Sequence, residues 1–346
     1  MHLRIRIFAF LLISCLYFPG SAWAAPDSSA GFKNDYPRGT PRIKAATGLA
    51  PIQFVIDRIG GEYVDSVALI PAGFDPHTFE PKPSQLQVLD QADVYFSLET
   101  PLEQVWLDRV TTVNARMSRI NLMGALRDDE ILSGEGHSHS HDHEAGHVHS
   151  DDEEHEEPLG NEHSEVDSEA NPVYDGHDPH IWMSPYFLKL IAKQICIEFS
   201  RLMPQQSAYF EKNLDRFTGR ADQLSIRVRD NLEGLSEQQK SFLVFHPSWA
   251  YFAQEFGLVQ IAVEQDGKEP TPASLAMVID EARAHGISVI FVQREFNPAL
   301  ASTVAAHLPG GRVVALDPLG YDCFKSIEET AVAISGKPLA EPVAEE

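Results

Sequence analysis

The chain has 346 residues, of which 43% are hydrophobic, and its formal net charge at pH 7 is −24. This length is enough for two domains of ordinary size, and this apolar content is enough for a packed core. Lys and Arg form no cluster or stripe in the sequence. Nucleic acid is therefore excluded as an expected partner.

The N-terminus has the pattern of an export signal. Arg4 and Arg6 precede an apolar run, and Ala22-Trp23-Ala24 forms an A-x-A cleavage site. We therefore predict a signal peptide over residues 1–24 and a soluble exported product. The residues that end at Cys15 also fit a lipid-attachment box, so an anchored form is the alternative.

Strand and helix signals alternate in the region that we assign to a first lobe, residues 41–205. This rhythm is typical of a parallel sheet covered by helices. The predicted strands lie at 42–48, 65–70 and 93–98, and the predicted helices lie at 51–59, 84–92, 102–110 and from about 184 onward.

An acidic, histidine-rich segment interrupts this lobe at about residues 128–169. It carries sixteen Asp and Glu but no Lys or Arg, a composition that predicts a disordered insert. Spaced imidazoles on a flexible chain bind metals such as zinc without fixing a geometry. Ordering the chain costs about 1–2 kcal/mol per residue, so we expect weaker binding here than at a preformed site. The eight histidines are His137, His139, His141, His143, His147, His149, His155 and His163.

Residues 206–236 are predicted to form one long amphipathic helix. Apolar side chains recur at steps of three and four between Phe210 and Leu232. At 1.5 Å per residue, about 29 residues span roughly 43 Å, which suits a rigid connection between two lobes. An ordinary long surface helix is the competing interpretation.

A second α/β lobe is predicted over residues 237–336. The alternation of strands and helices resumes there, and Pro272 and Gly286 mark the start and the end of one helix. The predicted strands lie at 241–246, 259–264, 287–293 and 312–317.

Histidines and one aspartate lie where the predicted strands end. His77 follows the second strand, His246 and Asp317 end two strands of the second lobe, and His177 and His180 precede a helix. In open α/β sheets, ligands collect beyond the carboxyl ends of the strands. Three imidazoles and one carboxylate from two lobes suit a tetrahedral zinc site.

Four separated segments of the chain carry a family resemblance. They read PAGFDPHTFEPKPSQL, DPHIWMSP, FHPSWAYF and ALDPLG. In this order and spacing, they resemble the metal-binding solute-receptor family of bacterial ABC importers for zinc and manganese. The resemblance extends from residue 42 to about residue 335.

The resemblance implies two small α/β lobes with parallel sheets, joined by one long rigid helix, with the metal in the cleft between them. It implies a periplasmic, monomeric receptor that is not an enzyme and that hands Zn²⁺ to a membrane permease. The histidine-rich segment matches an insert of zinc-specific members, which favours zinc over manganese and an accessory, zinc-gathering role for the segment. The implied ligands are His77, His180, His246 and Asp317, with Glu295 as a nearby supporting carboxylate.

Three other functions stay open from the sequence alone. They are a receptor for manganese or another divalent metal, a zinc buffer or metallochaperone that relies on the histidine-rich segment, and a zinc hydrolase. No H-E-x-x-H sequence lies in a predicted helix, and Glu295 is the single candidate general base that we name for a hydrolase. Whether Cys196 and Cys323 form a disulfide is also open, because export permits it but buried free cysteines are common.

Overall fold

The computed structural model describes residues 31–32, 41–71, 73–100, 103, 106–107, 114–133, 177–264 and 270–340. The predicted signal peptide, Cys15, the eight histidines of the acidic segment and most of the predicted helix at 102–110 lie outside the described residues. Within the described residues, no helix combines the length and the apolar character that a membrane crossing requires.

The first lobe is built on four parallel strands. These are β1 Ile43–Thr47, β2 Val64–Ala68, β3 Val94–Ser97 and β4 Ser118–Asn121, and the helices are α1 Ala50–Gly60, α2 Pro83–Leu86 and α3 Pro185–Leu202. The strand order is β2-β1-β3-β4. The first three strands confirm the sequence prediction, whereas β4 is missing from it. β4 is a short, partly exposed edge strand with the sequence SRIN, whose single apolar residue gives no pattern to detect.

One long helix, α4 Ser207–Leu232, connects the two lobes. Its 26 residues correspond to about 39 Å. The apolar face predicted from the sequence is buried, with Phe210, Phe217, Leu224 and Val228 among its side chains. The helix packs against α1 and α3 of the first lobe. The predicted architecture of two parallel α/β lobes and one long helix is thus confirmed.

The second lobe repeats the design of the first. Its strands are β5 Ser241–Val244, β6 Val259–Ala262, β7 Val289–Val292 and β8 Arg312–Ala315, and its helices are α5 Ala250–Phe256, α6 Pro272–Ala284, α7 Pro298–Ala306 and α8 Cys323–Ser335. All four strands are parallel, in the order β6-β5-β7-β8. The domain limits predicted from the sequence stay predictions.

Three helices that border the cleft or the second sheet begin with the same local signal. The side chains of Ser184, Thr271 and Asn297 each accept a hydrogen bond from a backbone N–H in the first turn of α3, α6 and α7. A proline follows each of these residues at the first helical position, where it loses no helical hydrogen bond. These caps fix where the loops end and the helices start.

Aromatic side chains also join the lobes directly. Phe54 of α1 lies 6.4 Å from Phe217 of α4 and 5.6 Å from Phe324 of α8, and Phe217 and Phe324 are 4.9 Å apart, all measured between ring centroids. These rings belong to one apolar core that extends through both lobes. Each fully buried Phe contributes roughly 1.5–3 kcal/mol. The shared core therefore helps α4 to hold the cleft in shape.

Both described cysteines, Cys196 and Cys323, are free and buried. Burial raises the pKa of the Cys323 thiol well above its usual value. The structure therefore settles the question that the sequence left open in favour of two separate, unreactive thiols.

Candidate metal centre

Three histidines from separate parts of the chain meet in the cleft. His77 lies in the loop after β2, His180 directly precedes a 3₁₀ turn, and His246 follows β5. One ring nitrogen from each lies within 4.8 Å of the others. The Nε2 atoms of His180 and His246 are 3.4 Å apart. Two nitrogens bound to one tetrahedral zinc at 2.0–2.1 Å are also about 3.4 Å apart, so this spacing fits zinc.

Burial keeps the His77 imidazole in the form that binds metal. His180 and His246 are both buried, and His77 is partly buried. The pKa of His77 is well below its usual value because of burial first, and then the charges of His246 and His180. His77 is therefore neutral at pH 7, and a neutral imidazole has a free lone pair for a metal ion.

Two buried carboxylates orient two of these rings. Asp178 Oδ1 lies 2.6 Å from His180 Nδ1, and Glu264 Oε2 lies 3.0 Å from His246 Nδ1. A carboxylate next to Nδ1 places the proton there, so that Nδ1–H donates and Nε2 is left free. A histidine whose second nitrogen donates to a carboxylate is the usual arrangement of a metal ligand.

The sequence prediction missed both carboxylates, although one of them had a local signal. The tripeptide D-P-H occurs twice, at Asp75–His77 and at Asp178–His180. In both copies the aspartate accepts a hydrogen bond from the backbone N–H of the histidine, at 2.9 Å and 2.8 Å. The repeat could have identified Asp178. Glu264 had no such signal, because its partner His246 lies eighteen residues earlier in the chain.

Asp317 and Glu295 occupy different positions relative to the histidines. Asp317 follows β8, and neither Asp317 nor Glu295 is in the group of donor atoms within 4.8 Å of one another, although Pro318 and Leu319 line the cavity. Its Oδ2 atom lies 3.8 Å from Arg294 Nε. Glu295 lines the same cavity as the three histidines. The assignment of Asp317 as a ligand and of Glu295 as a supporting group stays a prediction.

Comparison with known proteins identifies the family. Residues 46–326 match the family described as "ZnuA: Zinc-uptake complex component A periplasmic". The chain belongs to this family. The match confirms the resemblance that the four sequence segments carry, and it spans both lobes and all the residues of the candidate metal centre.

Individual members of the family are similar over most of this chain. It is 26% identical over 286 residues to "Zinc-binding protein AdcA" of Streptococcus pyogenes serotype M3, which covers 80% of the chain and 50% of that protein. The chain thus spans about half the length of the AdcA proteins that it matches.

Solved ZnuA structures share the fold along nearly their full length. The structure described as "Crystal structure of ZnuA" has a TM-score of 0.71 and 31% identity and covers 85% of this chain and 98% of the other. A second, described as "138-173 ZnuA deletion mutant plus zinc bound", has a TM-score of 0.70 and 30% identity and covers 87% and 100%. The arrangement of two lobes around a cleft is therefore shared with these ZnuA structures.

Proposed function

We propose that this protein captures Zn²⁺ in the cleft between its lobes and delivers it to the membrane permease of an ABC importer. The observation that carries the proposal is the convergence of three histidines in one group, with two Nε2 atoms separated as on a tetrahedral zinc ion. The family description, which names a periplasmic component of a zinc-uptake complex, supports the permease and the periplasm as partner and location. Binding and release are enough for this role, so the proposal includes no chemical step.

The donor atoms favour zinc over manganese. Imidazole nitrogen suits zinc, whereas manganese binds more readily to carboxylate, carbonyl and water oxygens. In the usual order of divalent-metal affinities, zinc also binds more tightly than manganese at a given site. The three histidines and the carboxylates behind them therefore make zinc the proposed cargo.

The proposal is supported by the way in which the cleft is made. His77 and His180 belong to the first lobe and His246 belongs to the second, so a bound ion bridges the two lobes. An ion held between lobes becomes accessible when the lobes move apart, which is a direct route to release at a permease. The ZnuA structure described as a 138–173 deletion mutant is also described as zinc-bound, so that relative binds zinc without those residues.

The test is a titration of the metal-free, full-length protein with zinc and with manganese in the presence of competing chelators. We expect one tight zinc site per chain that is lost in His180→Ala, with manganese bound much more weakly. A folded His180→Ala protein with an unchanged tight site would refute the cleft as the zinc site. Equal affinity for manganese would refute zinc as the selected cargo.

A growth experiment in cells distinguishes the zinc-buffer alternative from zinc uptake. We expect a strain that depends on this protein for zinc uptake to stop growing at low zinc when it carries His180→Ala. If that strain grew normally while removal of the histidine-rich segment stopped growth, the segment and not the cleft would carry the function.

A further inference from the structure

The helix that follows His246 also contacts the segment that carries His180. This helix, α5, begins at Ala250 and belongs to the second lobe. Two of its side chains, Tyr251 and Glu255, are four positions apart and therefore lie on the same face of the helix. Both make hydrogen bonds to residues of the first lobe. This face of α5 thus crosses the boundary between the lobes beside the candidate metal centre.

Tyr251 fixes the backbone of Asp178, the residue that orients His180. The Tyr251 hydroxyl donates to the Asp178 backbone oxygen at 2.8 Å and accepts a hydrogen bond from the Leu132 N–H at 3.1 Å. Tyr251 is fully buried, and its ring packs against Phe187 of α3 with 5.1 Å between the ring centroids. A buried hydroxyl that both donates and accepts is held in one orientation. Tyr251 therefore holds Asp178 in a defined position relative to α5.

Asp178 passes this position on to the His180 ring. Its Oδ1 atom lies 2.6 Å from His180 Nδ1 and accepts a hydrogen bond from the His180 backbone N–H at 2.8 Å. Both residues are buried, where a lost hydrogen bond is costly because water does not replace it. His180 Nε2 in turn lies 3.4 Å from the Nε2 atom of His246. A continuous path of contacts therefore runs from α5 through Tyr251, Asp178 and His180 to the histidine that precedes α5.

The start of α3 and the turn before it are also held against the second lobe. Glu255 accepts hydrogen bonds from the Ser184 hydroxyl and from the Tyr186 N–H, the latter at 3.1 Å. Trp182 Nε1 donates to the backbone oxygen of Pro318 at 2.8 Å. The chain before and after the first-lobe histidine is thus bonded to the second lobe.

We propose that α5 sets the spacing of His180 and His246, and that Tyr251 is the positioning residue through which it does so. This inference rests on the proposed function and concerns a residue that fixes the geometry of two ligands without contacting the ion. His77 is positioned separately, because its backbone N–H donates to Asp75 of its own loop at 2.9 Å. The second lobe therefore prepares the His180–His246 pair before zinc arrives, as a preorganised site requires.

The first test is the zinc affinity of Tyr251→Phe, which removes one hydroxyl and keeps the buried ring. Without the hydroxyl, Asp178 and His180 have to be ordered each time zinc binds. We therefore expect zinc affinity to fall by about three- to tenfold, the equivalent of one hydrogen bond. Tyr186→Phe is the matched control, because the Tyr186 hydroxyl donates to Glu130 at 2.8 Å and neither residue lines the histidine cavity. We expect this control to leave the affinity unchanged in competitive titrations of the full-length protein.

Nitrogen NMR spectra of the metal-free, histidine-labelled protein are the second readout. The ring nitrogen shifts report which nitrogen carries the proton, and this depends on the hydrogen bond that the ring makes. We expect Tyr251→Phe to change the signals of His180 and to leave those of His77 unchanged. His180→Ala and His77→Ala assign the signals. A purely structural role of Tyr251 would lower the melting temperature without selecting His180.

The inference is overturned if Tyr251→Phe binds zinc as tightly as Tyr186→Phe. It is also overturned if the His180 signals are unchanged, or if they change no more than those of His77. Thermal melting verifies that the variants are folded. If Tyr251→Phe does not fold, Glu255→Ala takes its place, because it releases the other contact of the same face of α5 and should give the same pattern.

The wild-type titration separates this inference from the proposed function. If the wild-type protein fails to bind zinc tightly, or if His180→Ala binds zinc as well as the wild type, the proposed function fails. If the wild type binds zinc tightly through His180 and Tyr251→Phe matches it in affinity and spectrum, the proposed function stands and the inference about Tyr251 alone is wrong.

Discussion

The two lobes have the same sheet topology but orient their histidines in different ways. Each sheet places its second strand at the edge and its first strand next to it, followed by the third and fourth. In the first lobe, His180 is oriented by Asp178, two residues earlier in the chain. In the second lobe, His246 is oriented by Glu264, which follows a different strand.

The register of β5 and β6 explains how the second lobe reaches the same result. The register pairs Val244 with Ala262, and the backbone N–H of Glu264 donates to the Phe245 oxygen at 2.9 Å. Continued by two residues, the pairing brings His246 beside Glu264. A slip of one residue would turn the Glu264 side chain to the other face of the sheet. A local turn thus orients the His180 ring, and strand pairing orients the His246 ring.

The largest expected loss of zinc affinity comes from removing one histidine of the candidate site, and it tests whether both lobes hold the ion. His246→Ala removes the second lobe's imidazole, and we expect zinc affinity to fall by more than about 100-fold, beyond the range for supporting residues. His180→Ala is expected to have an effect of the same order. Competitive titration measures both, with His307→Ala on the exposed end of α7 as the control. An effect of one ligand variant only would mean that a single lobe holds the ion.

Removal of the two orienting carboxylates comes next in size. Asp178→Ala and Glu264→Ala are each expected to reduce zinc affinity by roughly 10–100-fold, because the freed imidazole loses its fixed tautomer and orientation. Asp178→Ala should have the larger effect, since Asp178 also accepts a hydrogen bond from the His180 backbone N–H at 2.8 Å. Zinc titration and thermal melting measure affinity and fold. A larger loss in Glu264→Ala would contradict the importance of the local turn.

The pH dependence of the metal-free protein is a smaller effect and concerns His77. Burial, followed by the charges of His246 and His180, lowers the pKa of His77 in the folded state. Below about pH 6.5, the unfolded chain binds a proton at this position that the folded chain does not, so stability decreases as pH falls. Between pH 7 and pH 5, the free energy of unfolding measured in urea should decrease more for the wild type than for His77→Ala. Equal decreases would show that His77 titrates alike in both states.

Deletion of residues 135–175 should have the smallest effect on the tight site. It removes the eight histidines of the acidic segment and leaves Glu130, which accepts a hydrogen bond from the Tyr186 hydroxyl at 2.8 Å. We expect the cleft affinity to change by less than about fivefold, as for distant exposed charges. The number of zinc ions bound at high zinc should fall, and capture should slow more at low salt. Loss of the tightest site would mean that the segment, not the cleft, is the main site.

Much of the fold was predictable because the strands are buried and the helices are amphipathic. The three predicted strands of the first lobe, the four of the second lobe and helix α4 are all present in the structure. β4 was not predictable, because its SRIN sequence is partly exposed and lacks alternation. The predicted ends of several strands extend one or two residues too far, since the residues that leave a sheet keep the apolar character of the strand.

The candidate site was also predictable from the sequence only in part. His77, His180 and His246 could be chosen from the sequence because each follows a strand or precedes a helix in a recognisable motif, and strand ends of a parallel sheet meet at one edge. The sequence could not place Glu295 and Asp317 relative to the histidines, because their placement depends on the strand order of the second sheet.

By itself, the sequence determined the local elements and the family of this protein. Hydrophobic periodicity, proline-marked helix starts and the D-P-H tripeptides act over a few residues, so they can be read along the chain. Only the tertiary structure decided that Glu264 lies beside His246, that Arg294 lies beside Asp317 and that Glu295 has a buried oxygen with no hydrogen-bond partner among the described residues. These contacts follow from strand order and register, which bring together residues that are distant in sequence and have no pattern of their own.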